Sequence, residues 1–233
     1  MKIRVYVTAF LFGVFVLFLN SLDLFAKENI YSDPYKNAEE ILGDDFIAPE
    51  EVAVLRGLSY TKEQLKFFSK TMPTTNTLLW LKKHNYALIP GPSSPLGLKE
   101  VQSLTPSLFF GVKSSWHDEH PFSRFEKVET KWIAIRKGEV PGSLYKNLKE
   151  QRGLLQNVER VPHTAEMAWF ITTFYVVRDV QLFEKIRVRT SSISWWGDPV
   201  YIGLFDAWGI FTYAGNSDFL SNGFGLASAL KLP

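Results

Sequence analysis

The sequence predicts an α+β fold, with helices first and mostly antiparallel strands after them. An apolar run at 131–137 lies between charged residues and predicts a strand that is buried on both faces. Apolar residues at helical spacing follow at 143–155 and 165–177. Four more strands are predicted at 185–189, 200–205, 210–213 and 224–232. Their connections are too short for parallel crossovers, so we expect antiparallel pairing.

Three short helices are predicted ahead of this region. Pro49 opens the first, which Gly57 ends, and Thr61 with Gln64 forms a capping box for the second. A third helix is predicted over 75–84, followed by a short strand and a loop rich in proline and glycine.

The helix predicted at 165–177 is apolar nearly all round, which indicates a central position. Thr164 is its predicted N-cap, which places Glu166 and Trp169 on the first turns. The carboxylate of Glu166 is favourable there because the N-terminal end of a helix carries partial positive charge.

Alternation of apolar and polar residues defines the faces of two later strands. At 185–189 the polar positions include Arg187 and Arg189, so we expect that face to meet water. At 200–205 alternate aliphatic residues occupy the core face, which leaves Tyr201 on the opposite face.

The first 26 residues have the pattern of an export signal. Lys2 and Arg4 precede an uncharged apolar run at 5–19. This run is shorter than the roughly 20 residues that a membrane-spanning helix needs. We therefore expect residues 1–26 to be a signal peptide, with an uncleaved membrane anchor as the alternative, and the chain to be periplasmic, cell-surface or secreted.

Composition excludes several partners and modifications. The sequence has no cysteine, which excludes disulfides and lipid attachment of the bacterial lipoprotein type. The formal net charge is +2 and falls further when residues 1–26 are removed, so nucleic acid is not an expected partner. We expect membrane contact through the N-terminal segment alone. No phosphate-binding glycine loop occurs, and we expect no cofactor.

Residues for catalysis or metal binding are scarce. No serine lies in a G-x-S-x-G elbow, and cysteine is absent. His117 and His120 enclose two carboxylates, a set that could share a divalent cation. Pro121 and neighbouring serines indicate a loop, so we interpret the segment as solvated and predict no metal site.

Aromatic and polar residues are concentrated near the C-terminus. Trp195, Trp196 and Trp208 fall in predicted connections beside glycine and aspartate, where we expect them to be exposed. Exposed aromatic rings next to carboxylate and amide groups form a recognition surface. The predicted ligand-binding residues are Trp195, Trp196, Asp198, Tyr201, Trp208, Phe211, Tyr213, Asn216 and Asp218.

The stretch Arg160-Val-Pro-His-Thr-Ala-Glu-Met-Ala-Trp169 resembles the R-L-P-T-E-A-E-W-E-Y-A helix opening of formylglycine-generating-enzyme-like domains, a branch of the C-type-lectin-like fold. The residues Arg189-Thr-Ser-Ser192 and the ending Gly223-Phe-Gly-Leu-Ala-Ser-Ala-Leu-Lys231 are similar to the terminal region of that branch. The resemblance covers about 130–233. It implies a C-type-lectin-like arrangement of one strand, two helices and four strands.

The sequence departs from the family pattern, and these departures limit the functions that the resemblance implies. Formylglycine-generating enzymes need cysteines, so that activity is excluded. The calcium-ligand motifs E-P-N, Q-P-D and W-N-D are absent, so a calcium-bridged sugar site is not expected. The aromatic, Asn- and Asp-rich C-terminal segment is similar to the variable region of retroelement-diversified binding proteins that share this fold.

These observations predict a tether with short helices at 27–74, irregular over 27–45, and an α+β ligand-binding domain at 75–233. The leading hypothesis is an exported protein that binds a protein or glycan through its C-terminal aromatic surface. The alternative is an exported carbohydrate- or peptidoglycan-active hydrolase, because glycoside hydrolysis requires a pair of carboxylates. The candidate carboxylates are Glu166, Asp198, Asp206 and Asp218.

Overall fold

The computed structural model describes residues 33–111, 116–218 and 220–232. The predicted signal segment lies outside these ranges. Eight α-helices occur within them: α1 (Asp33–Leu42), α2 (Pro49–Arg56), α3 (Lys62–Lys70), α4 (Thr75–Lys83), α5 (Leu98–Leu104), α6 (Pro121–Phe125), α7 (Leu148–Arg152) and α8 (Thr164–Arg178).

Ten short strands accompany these helices, so the α+β class is confirmed. They are β1 (Tyr86–Pro90), β2 (Leu96–Gly97), β3 (Lys127–Val128), β4 (Trp132–Arg136), β5 (Glu159–Arg160), β6 (Arg187–Ile193), β7 (Pro199–Asp206), β8 (Gly209–Ala214), β9 (Phe224–Leu226) and β10 (Ala229–Leu230).

The described strands form two four-stranded sheets and one strand pair. The first sheet has the order β1-β4-β10-β5, and all of its pairs are antiparallel. The second sheet has the order β8-β7-β6-β9. Its β6 and β9 pair in parallel, so the prediction that all late strands pair antiparallel is wrong for β9. The single strand predicted at 224–232 is divided into β9 and β10, one in each sheet.

Helix α8 lies between the two sheets, as its nearly uniform apolar surface predicts. Trp169 is fully buried, and its indole Nε1 donates to the carbonyl oxygen of Pro90 at 2.9 Å. Met167, Phe170 and Phe174 join a core that draws residues from both sheets. The burial of this helix fixes the distance between the sheets.

The N-cap of α8 is His163 rather than the predicted Thr164. The Nδ1 atom of His163 accepts the backbone N–H of Glu166 at 3.2 Å, and the carboxylate of Glu166 accepts the backbone N–H of His163. Thr164 is buried instead, with its hydroxyl 2.9 Å from that of Thr190. A histidine nitrogen therefore takes the capping role that threonine more commonly fills.

A second core covers the other face of the first sheet. Tyr35 and Phe46 pack against Trp132, with ring centroids 5.9 and 5.7 Å apart, and Phe68 lies 5.1 Å from the same indole. The run at 132–136 is therefore buried on both faces, as predicted. The irregular tether predicted at 27–45 is wrong where the chain is described, because Asp33–Leu42 is a helix whose apolar side joins this core.

Local signals in the sequence fix most helix boundaries. Helix α2 ends at Gly57, which has a φ of 64°, and α3 begins with the predicted box between Thr61 and Gln64. Only Leu148–Arg152 is helical within the stretch predicted at 143–155. None of the helices in the described ranges is both long and apolar enough to cross a membrane.

Candidate functional site

A cavity of about 650 Å³ opens on the second sheet, on the face opposite α8. Cross-strand pairing places Arg187 next to Gly203 and Phe224, and Tyr201 next to Tyr213, so these residues share one face. The volume of the cavity is in the range of small-molecule sites. The lining residues among those described are Phe110, Gly111, Trp116, His117, Arg187, Tyr201, Phe211, Thr212, Tyr213, Gly215, Asn216 and Phe224.

One wall of the cavity comes from the segment that follows α5. Phe109 forms a parallel β-bridge with Ile210, and the backbone N–H of Phe110 donates to the Ile210 carbonyl at 3.1 Å. These contacts bring the segment alongside the edge strand β8. This approach requires Gly209, which has a φ of 104°, because a Cβ there would lie 2.9 Å from the Leu108 carbonyl oxygen. The Phe110 and Phe211 rings then stack with centroids 4.3 Å apart.

The floor of the cavity is held by a buried arginine. Arg189 is 0 % exposed, and its Nε donates to the Tyr201 hydroxyl at 3.0 Å. Its Nη1 donates to Gln151 Oε1 at 2.7 Å and to the Lys146 carbonyl at 2.9 Å. The Tyr201 hydroxyl in turn donates to the Asn216 carbonyl at 3.0 Å. The network therefore fixes the tyrosine ring.

These contacts correct two predictions about solvent. Alternation placed Arg189 and Tyr201 on the correct face, but neither meets water, since Tyr201 is 1 % exposed. Burial raises the pKa of Tyr201 above its ordinary value, against the opposing effect of the Arg189 guanidinium. Both side chains are structural parts of the cavity floor.

The described lining residues include one permanent charge, the guanidinium of Arg187. His117, at the other side, is buried, and burial lowers its pKa to about 4. Its Nε2 lies 3.3 Å from Gln102 Nε2, which is a donor, so the imidazole accepts there and is neutral near pH 7. The lining therefore has a positive charge at neutral pH.

Exposed indole rings extend the cavity outward. We define the tryptophan rim as Trp116, Trp195 and Trp196 with His120 between them. Trp116 also lines the cavity, and its Nε1 donates to the Thr212 carbonyl at 2.9 Å. Its ring lies 6.4 Å from that of Trp196, with planes 23° apart. Trp195 and Trp196 are 66 % and 72 % exposed, which confirms the predicted exposure.

His120 holds the turn that carries this rim. Its Nδ1 accepts the backbone N–H of Trp195 at 3.1 Å, and its ring meets those of Trp116 and Trp196 edge-on at 4.9 Å. Both histidines of the His117-Asp-Glu-His120 segment are buried, so the prediction of a solvated loop is wrong for them. Aromatic rings from distant parts of the chain cover the segment. Within the described ranges no group of three His, Cys, Asp or Glu residues is arranged to hold a metal.

The nine predicted site residues lie in the cavity lining, in the tryptophan rim, in turns beside the cavity or, for Trp208, away from it. Four of them line the cavity and two belong to the rim: Tyr201, Phe211, Tyr213 and Asn216, with Trp195 and Trp196. Asp198 and Asp218 lie in turns beside the cavity, where the backbone N–H of Asp198 donates to Ser194 Oγ and that of Asp218 to Asn216 Oδ1.

Trp208 lies away from the other predicted site residues. It belongs to the turn that follows β7, whereas the rim precedes β7. At about 3.3 Å per residue, this eight-residue strand separates them by roughly 25 Å. Trp208 is 74 % exposed and does not line the cavity.

Several lining residues were not predicted. Phe110 and Trp116 lie far from the C-terminal segment in sequence, and only tertiary pairing with β8 brings them to it. The sequence did hold one indication for Trp116, because this residue directly precedes the histidine pair His117 and His120. Arg187 was predicted to face away from the core, and this face of the strand lines the open cavity.

Two of the four carboxylates proposed for hydrolysis lie away from the cavity. Glu166 binds Arg160 through both of its oxygens, at 2.6 and 2.7 Å, and this guanidinium keeps the pKa of Glu166 below its usual value although burial acts to raise it. Asp206 accepts the N–H of Trp208, at the far end of β7. No carboxylate occurs among the described lining residues.

Comparison with known proteins gives no relative. The chain matches no protein-family model, no curated protein and no solved structure.

Proposed function

We propose that this chain is a binding protein that holds part of a protein or glycan ligand in the cavity and along the tryptophan rim. One observation carries the proposal: an aromatic cavity on the open face of a sheet continues, through Trp116, onto two exposed tryptophans. Rigid rings supply contact area at a small cost in conformational entropy, and tryptophan and tyrosine are enriched among residues that dominate binding energy.

The proposal includes export and a C-type-lectin-like fold. β4 pairs with β10, which brings together the two ends of the 130–233 region and supports this fold. The antiparallel arrangement of β6, β7 and β8 after two helices also supports it. Export rests on the pattern of residues 1–26. Cell fractionation tests it, and full-length chain in the soluble cytoplasmic fraction would contradict it.

The binding test uses two tryptophans that are equally exposed and far apart. The full chain, purified in detergent micelles, is screened against arrays of defined oligosaccharides and of purified exported proteins. Trp196→Ala should weaken binding of a ligand found this way by about 2 kcal/mol, because the indole belongs to the rim. Trp208→Ala is the matched control and should leave binding unchanged. Equal effects of both substitutions, or no bound ligand, would contradict the proposal.

A further inference from the structure

Two arginines on β6 have opposite surroundings. Arg187 and Arg189 are two residues apart and point to the same face of the strand. The guanidinium of Arg189 donates to Tyr201, Gln151 and a backbone carbonyl. That of Arg187 lines the cavity 5.7 Å from the Phe224 ring centroid, and no described carboxylate lies within ion-pair distance of it. Arg187 is therefore a cation whose partner the described protein does not supply.

The backbone of Arg187 is fixed in the sheet, which places the start of its side chain on the cavity face. Its N–H donates to the Gly223 carbonyl at 3.0 Å, and the strand pairs with β7 on one side and β9 on the other. A guanidinium that is positioned in this way offers a planar fork that matches a carboxylate with two hydrogen bonds. With His117 neutral, nothing else on the described lining carries a charge near pH 7.

The rest of the lining suits a ring with hydroxyl groups. Phe110, Phe211 and Phe224 present apolar rings, and Tyr213 and Asn216 add neutral hydrogen-bonding groups at exposed positions. The apolar face of a pyranose stacks on such rings, and its hydroxyls bond to neutral polar groups. An acidic peptide would be expected to meet more than one cation.

We infer that the ligand is a glycan whose sugar ring carries a carboxylate, with the ring against the aromatic wall and the carboxylate on Arg187. This inference rests on the proposed function and specifies the ligand of the same site. Two sources share this chemistry, uronic-acid polysaccharides and glycans that end in sialic acid.

The experiment compares acidic sugars with uncharged counterparts. Titration calorimetry on the full chain in detergent micelles measures trigalacturonate, its methyl ester, sialyllactose and lactose. We expect trigalacturonate or sialyllactose to bind at least 10-fold more tightly than its uncharged counterpart, and which one binds identifies the source. Arg187→Gln should remove roughly 10- to 100-fold of the affinity for the acid alone. Arg152→Gln, an exposed arginine that does not line the cavity, is the control.

Each outcome has a separate meaning. Equal affinity for acid and ester, with both lost in Trp196→Ala, would overturn the carboxylate inference and leave the binding function standing. Binding of a carboxylate-terminated peptide in place of every sugar would overturn the glycan assignment. If no probe binds and the arrays give no ligand, the inference and the proposed function both fail.

Discussion

The two four-stranded sheets of this protein differ in what covers them. In the first sheet, α8 packs on one face and the N-terminal helices pack on the other, so Tyr86 and Trp132 are core residues. In the second sheet, α8 covers one face while the other forms the cavity floor. Aromatic residues on strands therefore stabilise the fold in the first sheet, whereas Phe211 and Tyr213 of the second sheet line an open cavity.

Trp132→Ala should be the most destabilising test of this difference. The indole contacts three aromatic rings and donates to the Phe68 carbonyl at 2.8 Å, so its loss leaves a cavity and an unpaired carbonyl. We expect a cost of about 3–5 kcal/mol in the free energy of unfolding, measured by urea denaturation. Phe211→Ala, on the half-exposed wall of the cavity, is the comparison and should cost clearly less. Similar costs would mean that the second sheet is as tightly packed as the first.

The pH dependence of stability should depend on His117. Its folded pKa of about 4 is below the ordinary value of 6.5, so the unfolded chain binds the proton first as the pH falls. The stabilisation is complete above pH 6.5 and is lost between pH 6.5 and 4, by as much as about 3 kcal/mol. His163 has a lowered pKa as well and contributes in the same direction.

Urea unfolding at several pH values isolates the share of His117. His117→Gln keeps a polar side chain next to Gln102 but cannot titrate, so its stability should fall less steeply over this window. Parallel curves for the variant and the parent would contradict the neutral, buried assignment.

Thr61→Ala tests the helices that cover the first sheet. Thr61 Oγ1 accepts the N–H of Gln64 at 3.2 Å, and the reciprocal bond of Gln64 completes the box. Loss of this cap should cost about 1 kcal/mol, measured as a lower unfolding midpoint. Thr61→Ser preserves the hydroxyl and should restore most of the stability. An unchanged midpoint for Thr61→Ala would show that packing alone holds this helix.

Replacement of the exposed tryptophans should have the smallest effect on stability. Trp208→Ala removes a ring that is mostly in solvent, so we expect a change within about 0.5 kcal/mol, whereas Trp196→Ala also removes an edge contact with His120 and should cost up to about 1 kcal/mol. Thermal unfolding of both variants checks this. Unfolding of either one would show that its indole belongs to the core.

Local patterns in the sequence predicted local structure well. The caps at Gly57 and Thr61 and the doubly buried strand at 132–136 depend on neighbouring residues, and the structure has them where they were expected. The cap of α8 moved by one residue because buried hydroxyls at Thr190 and Ser192 bind Thr164. No pattern within the helix itself reveals those partners.

The cavity was harder to predict because its parts are distant in sequence. Alternation assigned Arg189 to the correct face of the strand but predicted contact with water. The groups that accept its hydrogen bonds, on Gln151 and Lys146, lie about 40 residues earlier in the sequence. The burial of His120 depends in the same way on Trp195 and Trp196. Four predicted residues do line the cavity, because they lie on β7, on β8 or directly after β8, and these strands are adjacent in both sequence and space.

The division of the last strand between two sheets has a consequence for the order of folding. β10 lies inside the first sheet, between β4 and β5, and β9 completes the second sheet beside β6. Neither sheet is complete until residues 224–230 have paired. Such long-range pairing slows folding. A chain of this topology therefore folds slowly, and a translocation channel for unfolded polypeptides requires a chain that is still unfolded, as expected of a protein proposed to be exported.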